Sequence, residues 1–171
     1  MNDKHKPFTA FLGLGSNLGD RIEYLRNARQ ALHSHPEICI VRASAIYETE
    51  PVGGPEDQPP YLNAVLEVQT TLTASRLLEF ALEVEQQFGR CRKVRWGSRS
   101  LDIDLLFYDN SISQKQELMI PHPRLHQRAF VLIPLMDVAP DFIHPLNQKT
   151  VREMLTRLPS TSGVHRLPDN W

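Results

Sequence analysis

Arg95-Trp96-Gly97-Ser98-Arg99-Ser100-Leu101-Asp102-Ile103-Asp104-Leu105-Leu106-Phe107-Tyr108-Asp109 is the stretch that decides how this chain reads. Leu101, Ile103, Leu105 and Phe107 alternate with the two carboxylates Asp102 and Asp104, the period of a half-buried β-strand. Side chains at i and i+2 of a strand share a face, with Cα atoms about 6.5–7 Å apart. Two bare carboxylates held side by side repel, so one of them tends to keep a proton. A divalent cation between them removes that tension. Arg95, Trp96 and Arg99 come just before the strand. Acids, guanidinium groups and an indole together point to a nucleotide–magnesium site.

Outward from this strand, the chain alternates between periods of two and 3.6. Thr9 to Gly15 reads as a strand ending in glycines that serve a tight turn. Asp20 and Glu23 read as a capping box before Ile22, Leu25, Ala28 and Leu32, a helix ending near His33. Ile38 to Tyr47 reads as one strand. Glu50 to Pro60 holds Pro51, Pro55, Pro59, Pro60, Gly53 and Gly54, a loop long enough for a binding or lid role. Tyr61 to Gln69 is strand-like. Thr73 caps a helix with Leu77, Leu78, Ala81, Leu82, Val84 and Phe88 as its buried stripe and Gly89 as its stop. Arg90 to Ser100 is basic. After the acid-pair strand come Leu118-Met119-Ile120, the turn Pro121-His122-Pro123-Arg124, an apolar run from Arg128 to Leu135, and a short helix over 150–158. The order β-α-β-β-α-β predicts an α+β, ferredoxin-like sandwich: an antiparallel sheet with packed helices, in one domain over 1–171.

Bulk composition bounds the class. The 171 residues suffice for one domain with a real core. A net charge of −1 gives no global field toward nucleic acid or an anionic membrane, so any attraction to phosphate is local. Cys39 and Cys91 stand far apart, which argues for reduced thiols rather than a disulfide framework. The N-terminus has no apolar signal-like region, and no run is long and apolar enough to span a bilayer. The expectation is a cytoplasmic protein.

Each candidate group has a plainer reading beside it. Asp102 and Asp104 are either magnesium ligands or two acids on a solvated strand face. Arg90, Arg92, Lys93, Arg95 and Arg99 are either a phosphate clamp or a basic loop balanced by acids such as Glu83 and Glu85. His122, stiffened between prolines, either donates to a phosphate oxygen or serves the turn. Tyr61, Asn63 and Phe130 either form a slot for a flat heterocycle or, for the two aromatics, belong to the core. Gly13-Leu14-Gly15-Ser16-Asn17-Leu18-Gly19 misses the GxGxxG spacing, and there is no P-loop and no zinc-type Cys/His pairing.

Taken together, six segments resemble the 6-hydroxymethyl-7,8-dihydropterin pyrophosphokinase family. They are Gly13-Leu14-Gly15-Ser16-Asn17-Leu18, Tyr47-Glu48-Thr49-Glu50-Pro51, Asp57-Gln58-Pro59-Pro60-Tyr61-Leu62-Asn63-Ala64, Glu85 with Gly89-Arg90, the acid-pair stretch, and Ile120-Pro121-His122-Pro123-Arg124 with Arg128-Ala129-Phe130-Val131-Leu132. The resemblance runs from about Phe11 to His144, in family order. It implies transfer of the β,γ-diphosphate of ATP to the hydroxymethyl group of 6-hydroxymethyl-7,8-dihydropterin, with release of AMP, in tetrahydrofolate biosynthesis. It implies two Mg²⁺ ions on Asp102 and Asp104, with Arg90 and Arg99 catalytic beside them. Glu85, Arg92, Trp96, Arg99, His122 and Arg128 match positions that serve ATP. Thr49, Pro51, Val52, Tyr61, Asn63 and Phe130 match the pterin side. A monomer acting on small molecules is implied, with no nucleic-acid or membrane partner. Ser98 stands where Gly-Pro-Arg is commonest, Gly53-Gly54 carries an extra glycine, and the basic segment before Trp96 is one residue short, all in loops.

Two other classes remain as comparisons. A polymerase-β-like nucleotidyltransferase also uses an Asp-x-Asp strand, but there a Gly-Ser turn lies close before it; here Gly15-Ser16 lies far upstream of Asp102. A ferredoxin-like RNA-binding module needs aromatics at the RNP positions and a basic sheet face, and neither is present.

Overall fold

The computed structural model of the chain describes residues 6–51, 56–88, 99–168 and 170–171. The element order is β1 (Phe8–Ser16), α1 (Arg21–His33), β2 (Ile38–Ala43), β3 (Tyr47–Thr49), β4 (Tyr61–Thr70), α2 (Ala74–Gln87), β5 (Asp102–Tyr108), β6 (Ser113–Lys115), β7 (Leu118–Ile120), α3 (Ala129–Val138), α4 (Val151–Thr156) and β8 (Val164–Arg166). The main sheet runs β5-β1-β4-β3-β8, with β2 also on β4, and its pairings are antiparallel. A β-α-β-β-α-β chain with β5 and β4 flanking β1 is the expected ferredoxin-like arrangement.

α1 and α2 cover one face. Leu25, Ala28 and Leu32 of α1 and Leu77, Ala81 and Val84 of α2 pack on Ala10, Leu12 and Leu14 of β1. Leu78, Leu82 and Phe88, expected in the α2 stripe, are only half-buried, whereas Glu85 is buried. Thr73 accepts from the Arg76 N–H and caps α2 as expected. The Asp20 box forms by half: Asp20 accepts from the Glu23 N–H, while the Glu23 carboxylate bonds Arg26 at 2.9 Å instead of turning back. Thr150 and Glu153 do form a full box at the start of α4. α3 and α4 pack on the other face, over Phe11, Val65, Leu106 and Phe107.

The strand expected over Ile38–Tyr47 is broken. The Ser44 N–H donates to Val65 O at 2.9 Å, and the Ser44 hydroxyl accepts the Val65 N–H at 2.8 Å. A side-chain oxygen thus takes the place of a ladder carbonyl, and the chain steps out of line before β3. Ala45 N–H and Tyr47 O–H both donate to Asp137 Oδ2 on α3.

β5 departs from simple alternation as well. Phe11 pairs with Phe107, but Leu12 pairs with Leu105, leaving Leu106 as an extra residue. Leu101, Ile103 and Leu105 face α1 and α2 as expected, whereas Phe107 joins the opposite core and packs edge-on to Phe11. The strand is half-buried at its start and buried on both sides at its end.

Candidate active site

Cross-strand pairing places the acids. Asp102 lies opposite Gly15, and Asp104 opposite Gly13. Gly15 in turn pairs with Asn63 of β4, and Asn63 with Tyr47 of β3. Directly paired residues share a face, so carboxylates, glycines and Asn63 form one surface on the side of α3. Neither Gly13 nor Gly15 has the positive φ of a turn; Gly19 does, at 71°. The turn reading of the first two glycines is therefore corrected: they sit inside β1, where a missing side chain leaves a low floor beside the acids. A Cβ at Gly15 would lie 3.4 Å from Asn63 Oδ1, and one at Gly13 would lie 3.4 Å from the Leu106 methyl carbons.

Asp102 Oδ2 holds Arg99 Nη1 at 2.8 Å. Among the described residues Asp104 has no such close guanidinium. Burial first, then the charges of Asp102 and Glu85, push its carboxyl up to about 7, against the pull of Arg128 and Arg99. One of the two acids thus keeps a proton near neutrality, as the spacing predicts. Among the described residues no group of three or more His, Cys, Asp or Glu side chains is placed to hold a metal ion by itself. A cation on this pair would complete its shell with water and substrate oxygens, which is how Mg²⁺ usually binds. The donors are hard oxygens, they share a face, and their repulsion is what a cation relieves. The residues present fit Mg²⁺.

Glu85 approaches from α2. It is buried, and its Oε1 accepts the Ile103 N–H at 2.7 Å, a donor on the edge of β5 away from β1. It acts on the acid pair through its charge, which helps to raise the Asp104 carboxyl. On the other side, the His122 N–H donates to Leu106 O at 3.0 Å and docks the proline turn on β5. Burial, then Arg128, lower the His122 imidazole to about 4, so it is neutral at physiological pH. The turn role and the phosphate-donor role are compatible, because the turn uses the backbone N–H and the ring Nδ1, which accepts the Arg124 N–H at 3.4 Å, and leaves Nε2–H as the donor. Arg128 caps the start of α3. Its guanidinium lies 5.5 Å from the centre of the Phe130 ring and feels both acids.

The heterocycle side is assembled on the same surface. Asn63 Nδ2 donates to Thr49 Oγ1 at 2.8 Å, which fixes the amide, and both residues are buried. Tyr61 pairs with Thr49 and lies near Gly15. Tyr61 and Phe130 are both half-buried, and neither is part of the core, which corrects the plainer reading of these aromatics; Phe130 is in the first turn of α3, not in a strand. Pro51 is half-buried beyond β3. Val52, Arg90, Arg92, Lys93, Arg95 and Trp96 lie outside the described residues.

Sequence reasoning missed Asn17. It is buried, its Oδ1 accepts the Arg99 N–H at 2.7 Å, its Nδ2 donates to Pro59 O at 3.2 Å, and its N–H donates to Arg99 O at 3.0 Å. One side chain thereby ties the end of β1 to the residue beside the acids and to the loop before Tyr61. The signal was present in Gly15-Ser16-Asn17, but was read only for its glycines.

Comparison with known proteins gives a family for the chain. Residues 11–140 match the family described as 7,8-dihydro-6-hydroxymethylpterin-pyrophosphokinase (HPPK). The chain is 43% identical over 158 residues to a 2-amino-4-hydroxy-6-hydroxymethyldihydropteridine pyrophosphokinase of Methylorubrum extorquens, covering 92% of this chain and 98% of the relative. It is 44% identical over 129 residues to the Bacillus subtilis protein of the same name, covering 75% of this chain and 77% of that one. The fold is similar to a Plasmodium falciparum HPPK-DHPS crystal structure with pterin and p-hydroxybenzoate, with a TM-score of 0.70 at 15% identity over 92% of this chain; the chain spans 45% of that larger protein.

Proposed function

We propose that this chain, which belongs to the 7,8-dihydro-6-hydroxymethylpterin-pyrophosphokinase family, works on the glycine-floored surface beside Asp102 and Asp104. It is a pyrophosphokinase of folate biosynthesis, with ATP as co-substrate. The hydroxymethyl oxygen of 6-hydroxymethyl-7,8-dihydropterin bonds to the β-phosphorus of ATP, the bond from that phosphorus to the α,β-bridging oxygen breaks, and AMP leaves. The observation that carries the assignment of the site is the pair of carboxylates on one face of β5, each opposite a glycine.

Asp102 and Asp104 would hold two Mg²⁺ ions. Such ions, when bound, neutralise phosphate charge and make an attacking alcohol more acidic. The chain's own groups do the rest by position and charge. Tyr61 and Phe130 sandwich the flat pterin, and Asn63, locked by Thr49, reads its donor–acceptor edge. Pro51 borders that slot, and Val52 matches a pterin-side position of the family. His122, neutral and docked on Leu106, donates a ring N–H to a phosphate oxygen. Arg99, bonded to Asp102, and Arg128, at the start of α3, supply guanidinium forks to the diphosphate. Glu85 steadies β5 beneath the nucleotide. Arg90, Arg92 and Trp96 serve ATP from the segment before Arg99, and Arg90 joins Arg99 in stabilising the transferred group. No side chain is nominated as a general base.

The chain acts as a single-domain monomer in the cytoplasm, on small molecules and not on nucleic acid or membrane. A net charge of −1 gives no general attraction to nucleic acid, and among the described residues no helix is long and apolar enough to cross a membrane. The test is product analysis with ATP, Mg²⁺ and 6-hydroxymethyl-7,8-dihydropterin. AMP release is expected; pyrophosphate release would mean nucleotidyl transfer and would overturn the reading.

A further inference from the structure

The Pro121-His122-Pro123 turn that carries His122 toward the acids also forms a wall of a separate cavity of about 720 Å³, bounded on its other sides by the 3₁₀ turn Leu125–Gln127, the loop after His144, and α4. The volume lies within the usual range for small-molecule sites, about 300–1,000 Å³. None of Asp102, Asp104, Tyr61, Asn63 or Phe130 lines it.

Its most informative residue is His144, which is 4% exposed. The His144 Nδ1 accepts the backbone N–H groups of Leu146 and Asn147 at 3.2 and 3.3 Å. A nitrogen that accepts cannot carry the proton, so the proton sits on Nε2. That Nε2–H has no hydrogen-bond partner among the described residues, although the ring lines the cavity. It is a donor at the cavity wall, fixed in orientation by two backbone bonds and by edge contacts with Phe107 and His126. Burial, then the neighbouring His126, hold the imidazole below its usual range, so it stays neutral. A donor held at one angle on a cavity wall is preorganised for a ligand oxygen, because no orientational freedom is lost when the bond forms.

The charge around it has one sign. Lys149 and Arg157 line the cavity together with His122 and His126, and no Asp or Glu does. Glu153 stands near both cations, but its carboxylate is engaged by the Thr150 N–H and hydroxyl at 2.8 and 3.2 Å. The remaining wall is apolar, with Leu146, Met154, Leu158 and Pro159 among its residues. We propose that this cavity is a second ligand site for a small phosphate monoester with an apolar body, its phosphate held by His144 Nε2–H, Lys149 and Arg157 and its body against Met154 and Leu158. The anionic group matches the donors and cations, and the body matches the wall that a free phosphate would leave unfilled.

The test uses phenyl phosphate as probe, with inorganic phosphate and phenol as its two halves, on the full chain without ATP, Mg²⁺ or pterin. Its outcome is therefore independent of the assigned reaction. Titration followed by amide and imidazole NMR should shift Leu146, Asn147 and His144 Nε2–H, with phenyl phosphate binding more tightly than either half. Lys149→Glu with Arg157→Glu should weaken the probe by about tenfold or more, from loss of charge-assisted bonds. His144→Phe should weaken it while leaving the cations in place; should that variant not fold, the charge-reversed pair decides, since both its sites are side chains at the cavity rim. Equal binding of phosphate and phenyl phosphate, shifts confined to the Asp102–Asp104 side, or unchanged affinity in the charge-reversed variant would each overturn the proposal.

Discussion

The two faces of the central sheet use the same strands in opposite ways. Toward α1 and α2, Ala10, Leu12 and Leu14 meet Leu25, Leu32, Leu77 and Val84 in a continuous apolar core. Toward α3, β1 offers Phe11 to the core and then Gly13 and Gly15, beside Asp104 and Asp102. One face fills its space with side chains; the other withholds them where two carboxylates stand. The lesson is a division of labour. The packed face supplies the stability that lets the opposite face hold repelling acids and an empty floor.

Substitutions on each face can break this comparison. The largest effect is expected at Asp104. Asp104→Ala should lower kcat by about a thousandfold or more, as expected for loss of a charge-stabilising group, while pterin binding survives; AMP release and titration calorimetry read the two separately. Equal loss of both would mean that the acid serves the fold. On the packed face, Leu12→Ala should cost about 2–5 kcal/mol in denaturant melts, from lost transfer energy plus a cavity. Its kcat per folded molecule should not change, and a matching fall in kcat would show that the faces are not separable.

Gly15→Val sharpens the comparison. β-branched residues suit strands, but a Cβ here already touches Asn63 Oδ1 at 3.4 Å, so the new methyls press on the Asn63 amide and fill the floor, at a modest cost in stability. KM for the pterin should rise about tenfold, a change worth about 1.4 kcal/mol. An unaltered KM would place the substrate elsewhere.

The smallest effect concerns protons. Asp104 keeps its proton in the folded chain up to about pH 7, whereas its ordinary value is 3.8. Between those values the folded state binds more protons than the unfolded one, so this group's contribution to stability falls as pH rises. Asp104→Asn should therefore raise the Tm of metal-free protein at pH 8, by about 2–4 °C for each kcal/mol of repulsion relieved, and the gain should vanish below pH 4. A variant less stable than the parent at pH 8 would show that the carboxylate is not under strain.

Several features were legible because they depend on neighbours in sequence. Alternation from Leu101 to Leu105 placed Asp102 and Asp104 on one face of a strand, and Thr73 marked the start of α2. Features set by pairing partners were not. Leu106 looks like any apolar residue until its ladder with β1 slips and sends Phe107 to the opposite core. Ser44 looks like part of a strand until its hydroxyl displaces a carbonyl across from Val65. Thr49 and Asn63 are fourteen residues apart, and only the pairing of β3 with β4 makes their bond.

By itself, then, the order of residues settled the α+β class, the helix starts at Asp20, Thr73 and Thr150, and the placement of two acids on one face of a strand, because period and capping are short-range properties of the backbone. Tertiary structure alone decided what faces that pair: glycines from β1, a buried Glu85 from α2, and Arg128 at the start of α3. Register between distant strands chooses those neighbours, and they in turn set the charge, burial and proton affinity of Asp104.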